Sequence, residues 1–449
     1  MEAVSALFSR TTFLGLLSIP GAVSLRKIDE INLQVLACDD MKVLSVNQFY
    51  GLNGGSDRCF HDWNQVLVEH GHQFVPFAMR ADNDFPSEYS DFFVSNVKFF
   101  DGKKSLWDSL KIASRIIYFV EARDRITKLM GLTKPDIAHL HIIYHQLSPS
   151  ILPAMRSFGI PIVQTLHDYK RICPTYHLSA HDQICERCKK HKYYQAVLRR
   201  CNRGSLTASL LNCVEMYIHK WLRIYEKNVD LFISPSHFLK NKMLEFGFKP
   251  KRFEVVPNFI VLDGYEPKYE TDDYFVHFGR LVRVKGLMTL MEAMSRLKSK
   301  NLKLYIIGRG YMRSEMEAYC SQEGLDNVKF LGWKSGDELK ELIRNSLFTI
   351  MPSEWYENYP LSVLESLAMG KPVIASNIGG MPEMIIDGVD GLVCKPGDPE
   401  DIAEKIDHLL ANRHRLPEMG RAARLKIEKE YTPEKYYSRV MKLYQSLLS

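Results

Sequence analysis

The stretch Met351–Cys394, MPSEWYENYPLSVLESLAMGKPVIASNIGGMPEMIIDGVDGLVC, constrains the fold more than any other. A turn at Asn358-Tyr359-Pro360 is followed by Leu361, Leu364 and Ala368 at helical spacing. Gly370 and Lys371-Pro372 stop that helix. Pro372–Ser376 is a short apolar strand, and Gly379-Gly380 turns the chain before Pro382-Glu383 opens another helical turn. Strand, helix, tight stop and strand again is the pattern of a parallel α/β sheet.

Two acids sit in this frame. Glu357 lies on the loop before the helix, and Glu365 lies on the helix between Leu361 and Met369. A carboxylate flanked by apolar neighbours needs a partner. An ionised carboxylate only accepts hydrogen bonds, so a polyhydroxylated ligand suits it. Either acid alone reads as a solvated side chain. The pair, followed by G-K-P-V-I-A-S and a Gly-Gly turn, is far more specific.

The rest of the chain repeats the alternation. At 449 residues it accommodates two or three domains, with 46% hydrophobic and 25% charged residues, as in an ordinary globular protein. Charge is uneven: Met1–Pro257 carries a net +8 and the remainder −2. The basic half implies an anionic partner, phospholipid headgroups or a phosphorylated acceptor, whereas no motif supports nucleic acid. The nine cysteines form no secreted framework and fit a reducing, cytoplasmic setting. No segment is long enough to span a bilayer. Thr12–Leu25, behind Arg10, has the look of a signal core but is broken by Pro20-Gly21. Residues 1–40 therefore read as a non-core extension, with a weak membrane anchor as the alternative.

Met41–Asn47 is a buried-strand pattern, followed by a loop with Gly54 and Gly55 and a helix from Asp57 to His70. Strand, glycine loop and helix make an anion-binding arrangement. Lys103–Met130 is an amphipathic helix pattern whose Lys103, Lys104, Lys111, Arg115, Arg123, Arg125 and Lys128 form a solvated face or a surface for anionic lipid. Asp136–Ile142 and Ile160–Leu166 are strands, and the second delivers His167 to its carboxyl end, where ligands bind in open α/β sheets. Cys173, Cys185, Cys188 and Cys201 follow among basic residues. They read either as a structural four-thiolate zinc site, with an iron–sulfur cluster as a lesser variant, or as four unlinked thiols. A polar linker, Asp263–Asp273, leads to a second series of strands. Its first, Tyr274–Phe278, runs into Gly279-Arg280 and a tight loop to Lys285-Gly286. Two cations beside a helix start suit a diphosphate.

With G-R-x4-K-G at Gly279–Gly286 and Glu-x7-Glu at Glu357–Glu365, the chain resembles the retaining glycosyltransferases of family 4, the group 1 glycosyl transferases of the GT-B fold. The resemblance covers nearly all of Met41–Ser449. It implies an α/β protein of two doubly wound Rossmann-like domains facing across a cleft. The expected layout is an N-terminal acceptor-binding domain over 41–257 with a Cys-rich insert at 173–201, a nucleotide-sugar domain over 258–432, and a helix, 433–449, that crosses back. It implies a hexosyltransferase moving sugar from a UDP- or GDP-sugar to a glycan or lipid-linked acceptor, in the cytoplasm or on the membrane's cytoplasmic face. No cofactor is implied for catalysis. Arg280 and Lys285 carry over as diphosphate ligands, Glu357 and His167 as residues beside the sugar, Glu365 as the ribose ligand, and Gly54, Gly55, Asn358 and Tyr359 as donor contacts. Many members have a glycine-rich turn where this chain has Asn358-Tyr359-Pro360, and Pro360 has no N–H to offer. The alternatives are a sugar-nucleotide epimerase or phosphorylase of the same fold and a zinc-bearing, non-catalytic scaffold.

Overall fold

A computed structural model describes residues 40–96 and 106–449. The extension and its apolar stretch lie outside the described residues, as do Lys103 and Lys104. The first sheet is built from β1 (Lys42–Phe49), β2 (Gln73–Met79), β3 (Ile137–Leu140) and β4 (Ile162–Thr165). A two-residue hairpin, β5 (Ser179–Ala180) and β6 (Gln183–Ile184), interrupts it, and β7 (Leu231–Ser234) and β8 (Phe253–Val255) complete it. The second contains β9 (Tyr274–Phe278), β10 (Lys303–Ile307), β11 (Val328–Gly332), β12 (Thr349–Met351), β13 (Val373–Ser376) and β14 (Gly391–Cys394). Both six-stranded sheets are parallel, in the orders β2-β1-β3-β4-β7-β8 and β11-β10-β9-β12-β13-β14. Every residue of β3, β4, β7, β9 and β13 is buried, as expected of strands covered on both faces. The two doubly wound units expected from the sequence are therefore present.

Ligands in such sheets bind where the chain order reverses. That point lies between β1 and β3 in the first sheet and between β9 and β12 in the second. The glycine loop and the two charged loops leave the sheets at these points.

The final helix, Pro433–Leu448, starts at Thr432, whose hydroxyl accepts the Lys435 N–H. It packs on the first sheet's leading helix, Gly55–Glu69: Tyr436 and Tyr444 stand edge-on to Trp63, with ring centroids 5.3 and 6.2 Å away.

The Lys103–Met130 helix is not continuous. It is broken into Leu106–Ile117 and Val120–Thr133. Phe119 between them is extended, its N–H donating to Ser148 Oγ at 3.0 Å and its carbonyl accepting from Ser150 Oγ at 2.8 Å. Two buried hydroxyls thus satisfy the backbone where the helix stops. Arg115 turns inward, bonds Ser95 O and lies 3.8 Å over the Phe119 ring. It does not belong to a solvated or lipid-facing surface.

Candidate active site

The two switch points face one cleft of 380 Å³, lined by Gly54, Gly55, Arg58, His277, Gly279, Lys285, Trp333, Ser353, Glu357 and Glu365. The Glu357 loop is held from behind by Gly379-Gly380. A Cβ on Gly379 would meet Glu357 O at 2.3 Å, and one on Gly380 would meet Asn358 O at 1.9 Å. Only glycine permits this approach, and Gly380 N–H closes it with a 2.6 Å bond to Glu357 O. Glu357 Oε1 accepts from Lys285 Nζ at 2.5 Å and from Ser353 Oγ at 2.9 Å. The expected diphosphate cation and sugar carboxylate are therefore ion-paired. Lys285 is itself half-buried.

Glu365 is also satisfied. Its Oε1 accepts from Arg58 Nη1 at 2.5 Å and from Tyr265 OH at 3.0 Å. Arg58 lies one turn into the helix that the glycine loop opens, so this contact joins the first sheet's side of the cleft to the second's. The loop is tied down by Asp57, which accepts from Asn47 Nδ2 at 2.9 Å and from Asn53 N at 3.2 Å. A Cβ on Gly54 would meet nothing within 4 Å, so open space lies in front of this helix start.

Two family models cover most of the chain. Glycosyltransferase Family 4 matches residues 53–263, and Glycosyl transferases group 1 matches residues 263–426. The chain belongs to the group 1 glycosyltransferases of the GT-B fold. An uncharacterized glycosyltransferase of Methanocaldococcus jannaschii is 31% identical over 49% of this chain and 60% of its own length. A lipopolysaccharide 1,2-N-acetylglucosaminetransferase of Salmonella typhimurium is 27% identical over 51% of this chain and 65% of its own length. The match thus spans under two thirds of either relative. A solved structure of Anabaena HepE in complex with UDP-glucose covers 91% of this chain and 100% of its own, at 16% identity and a TM-score of 0.62.

Not every expected residue of this glycosyltransferase reaches the cleft. Tyr359 is buried in the apolar cluster beneath the helix Leu361–Ala368, so its side chain is packing and only its backbone faces the turn. Its carbonyl accepts from Asn258. Asn358 reaches the other domain, donating from Nδ2 to His167 O at 2.6 Å. The His167 ring meets His141 Nδ1 through Nε2 at 2.9 Å. Burial lowers the His167 imidazole to about 4, so it stands neutral at pH 7. Arg280 is exposed and outside the cleft lining, near enough to His177 to help depress that ring, after burial.

The four cysteines come near one another, with Cys173, Cys185 and Cys201 all beside Cys188. Among the described residues, no group of three or more His, Cys, Asp or Glu is arranged to hold an ion. Cys173, Cys185, Cys188 and Cys201 are free thiols. Cys188 packs with Tyr193, Ala196, Cys213 and Met216. Burial, and then the neighbouring thiols, push its pKa up. A protonated thiol behaves as a small hydrophobe, which is the role this cluster gives it.

Sequence reading missed Arg58, His277, Ser353 and Trp333. His277 sits within the apolar run of β9, Nδ1 2.9 Å from Ile350 O and Nε2 buried without a partner among the described residues. Burial lowers it to about 4. A histidine inside an otherwise apolar strand that ends at the Gly-Arg turn was the available signal.

Proposed function

We propose that this protein transfers a hexose from a UDP- or GDP-sugar to a glycan or lipid-linked acceptor in polysaccharide or glycoconjugate synthesis, with retention at the anomeric carbon. The carrying observation is the pairing of Lys285 with Glu357 and of Arg58 with Glu365 in one cleft at both switch points. On this reading the diphosphate takes Lys285 from Glu357, with Arg280 arriving as a second cation. Charge growing on the departing diphosphate is then met by preorganised cations in a low-dielectric cleft. Glu357, freed from the lysine, faces the sugar hydroxyls, and Glu365 faces the ribose. Trp333 presents a ring on which the base stacks. The leaving group itself assists attack from its own face, which preserves configuration, and Asn358 holds the His167 backbone against the sugar loop. The sheet containing β1 supplies the acceptor side. HepE bound to UDP-glucose and the lipopolysaccharide-directed relative support the donor and acceptor classes. On this reading the reaction takes place in the cytoplasm, in keeping with nine cysteines whose spacing forms no secreted framework.

The test is turnover of a panel of UDP- and GDP-sugars with and without glycan and lipid-linked acceptors, reading product configuration by NMR. Acceptor-dependent transfer with an unchanged anomer is expected. Acceptor-independent change of the sugar nucleotide would make the protein an epimerase. Absence of any turnover would leave the scaffold.

A further inference from the structure

The helix Leu206–Leu222 is inside-out. Its buried side carries Ser209, Asn212, Glu215 and His219 beside Cys213 and Met216. Glu215 Oε2 accepts from buried Lys170 Nζ at 2.7 Å and lies 3.1 Å from His145 Nε2, while Asn212 Nδ2 donates to Pro174 O at 3.2 Å. Its solvent side carries Leu206, Leu210, Val214, Tyr217 and Trp221. At 3.6 residues per turn these five fall within an arc of about 80°, in a stripe about 22 Å long. Leu206 and Leu210 are 50% exposed and Trp221 is 82% exposed. From Leu206 to Trp221 the exposed positions carry no charge, and Lys220 at the edge of the stripe is turned to buried Glu226. A contiguous apolar stripe of this kind on a soluble surface marks a docking face.

The surrounding charge selects the occupant. From Arg187 to Lys227 there are ten Lys and Arg and two acids, Glu215 and Glu226, both of them buried. Lys192, Arg200, Arg223 and Lys227 are exposed in this segment. A second copy of the chain would bring like charges together across the stripe. An anionic bilayer satisfies both features at once, taking the apolar stripe and Trp221 into its interface and the cations at its headgroups. The helix also walls a second cavity, of 400 Å³, with Ala208, Leu211 and Asn212 facing Tyr144 and Asp168. That cavity and the stripe are on different sides of one helix.

We propose that the exposed face of Leu206–Leu222 docks this protein on an anionic lipid surface. Docking sets the second cavity beside the headgroups, where a membrane-anchored acceptor would enter. The proposal does not depend on the donor chemistry.

The test is co-sedimentation of the full chain with vesicles of phosphatidylcholine alone and of phosphatidylcholine with phosphatidylglycerol, alongside light scattering. Binding to the mixed vesicles only, weakened by salt, is expected. Leu210→Ser/Trp221→Ser should lower that partitioning about tenfold or more, without lowering the melting temperature or the affinity for nucleoside diphosphate. Leu206→Ser/Val214→Ser removes a different part of the stripe and guards against one misfolded variant. Equal binding to both vesicle types, or undiminished binding by both folded variants, would overturn the proposal. So would a dimer that the variants dissociate, with no vesicle binding. Loss of nucleotide affinity in wild-type protein would count against the donor reading alone.

Discussion

The walls of the cleft are built on opposite principles. Behind the second wall the core is mainly apolar: Phe275, Ile306, Ile350 and Ile374 are fully buried, and the buried polar groups, such as His277 and the Thr349–Ser366 pair, are few and local. Behind the first wall the interior itself is polar. His139, His141, Gln164, Lys170 and Glu215 are all buried, linked by bonds such as His139 Nε2 to Thr165 Oγ1 at 2.7 Å. Apolar packing tolerates many substitutions of similar size, whereas a buried polar network fixes one geometry because each orphaned group is costly. The second wall is thus a general cradle for a nucleotide, and the first is a specific one.

The sharpest way to break this comparison is Glu215→Gln. Lys170 is 3% exposed and Glu215 1% exposed at the side chain. Removing one partner leaves the other charge buried, which costs about 3–5 kcal/mol. Burial alone would raise the Glu215 carboxyl, but Lys170, His145 and His219 outweigh it and hold it well below the usual carboxylate range. A carboxyl depressed in the folded state stabilises above its unfolded value, about 4.3, and loses that contribution as pH falls toward the folded one. Wild-type melting should therefore drop on acidification below pH about 4.3 more steeply than that of Glu215→Gln. Parallel pH profiles would show that the network is not the stabilising unit.

Lys285→Ala is the matching change in the second wall. Loss of one preorganised charge lowers rate by about 10²–10³. Lys285 and Glu357 are 19% and 9% exposed at the side chain, more than Lys170 and Glu215, and Glu357 keeps Ser353 as a donor, so the melting temperature should move less than with Glu215→Gln. Near wild-type turnover in the folded variant would remove the diphosphate role.

What could be read from the sequence follows the same division. The parallel sheets, the Gly-Gly turn and the placement of Glu357, Glu365 and Lys285 in one cleft were legible, because strand ends and tight turns set those side chains locally. The burial of the Tyr359 side chain was not legible because it depends on packing such as that of Tyr431, 6.2 Å away and far along the chain. Arg58 was missed because its partner lies 307 residues away. The helix break at Phe119 depends on Ser148 and Ser150, and the cysteines on how an insert with little regular structure folds back. None of these leaves a periodic signal.

The two acids divide the second wall more finely. Glu365→Gln should weaken nucleoside diphosphate binding about tenfold, since an amide replaces a charged acceptor facing hydroxyls. Glu357→Gln should spare that affinity and lower turnover, because its contacts strengthen as charge develops on the sugar. Calorimetry beside steady-state kinetics distinguishes them. The opposite pattern would mean that the roles are exchanged.

The smallest effect tests where the two walls meet. Arg58 and Glu365 are 31% and 15% exposed at the side chain, so their pair is worth about 1 kcal/mol or less. If Glu365 turns to the ribose when nucleotide binds, its coupling to Arg58 exists in the free protein and fades in the complex. A double-mutant cycle of Arg58→Ala and Glu365→Gln measures that coupling from unfolding free energies. It should lie near 0.5–1 kcal/mol, roughly, without ligand. With nucleoside diphosphate present, each variant's stability rises by its own binding term, which its measured affinity gives. Once those terms are removed, the expected coupling of the bound state is close to zero. A coupling that survives saturation would keep Glu365 on Arg58 and take it away from the ribose. The contact between the walls would then be a fixed strut, and the specific first wall would set the position of the general second one.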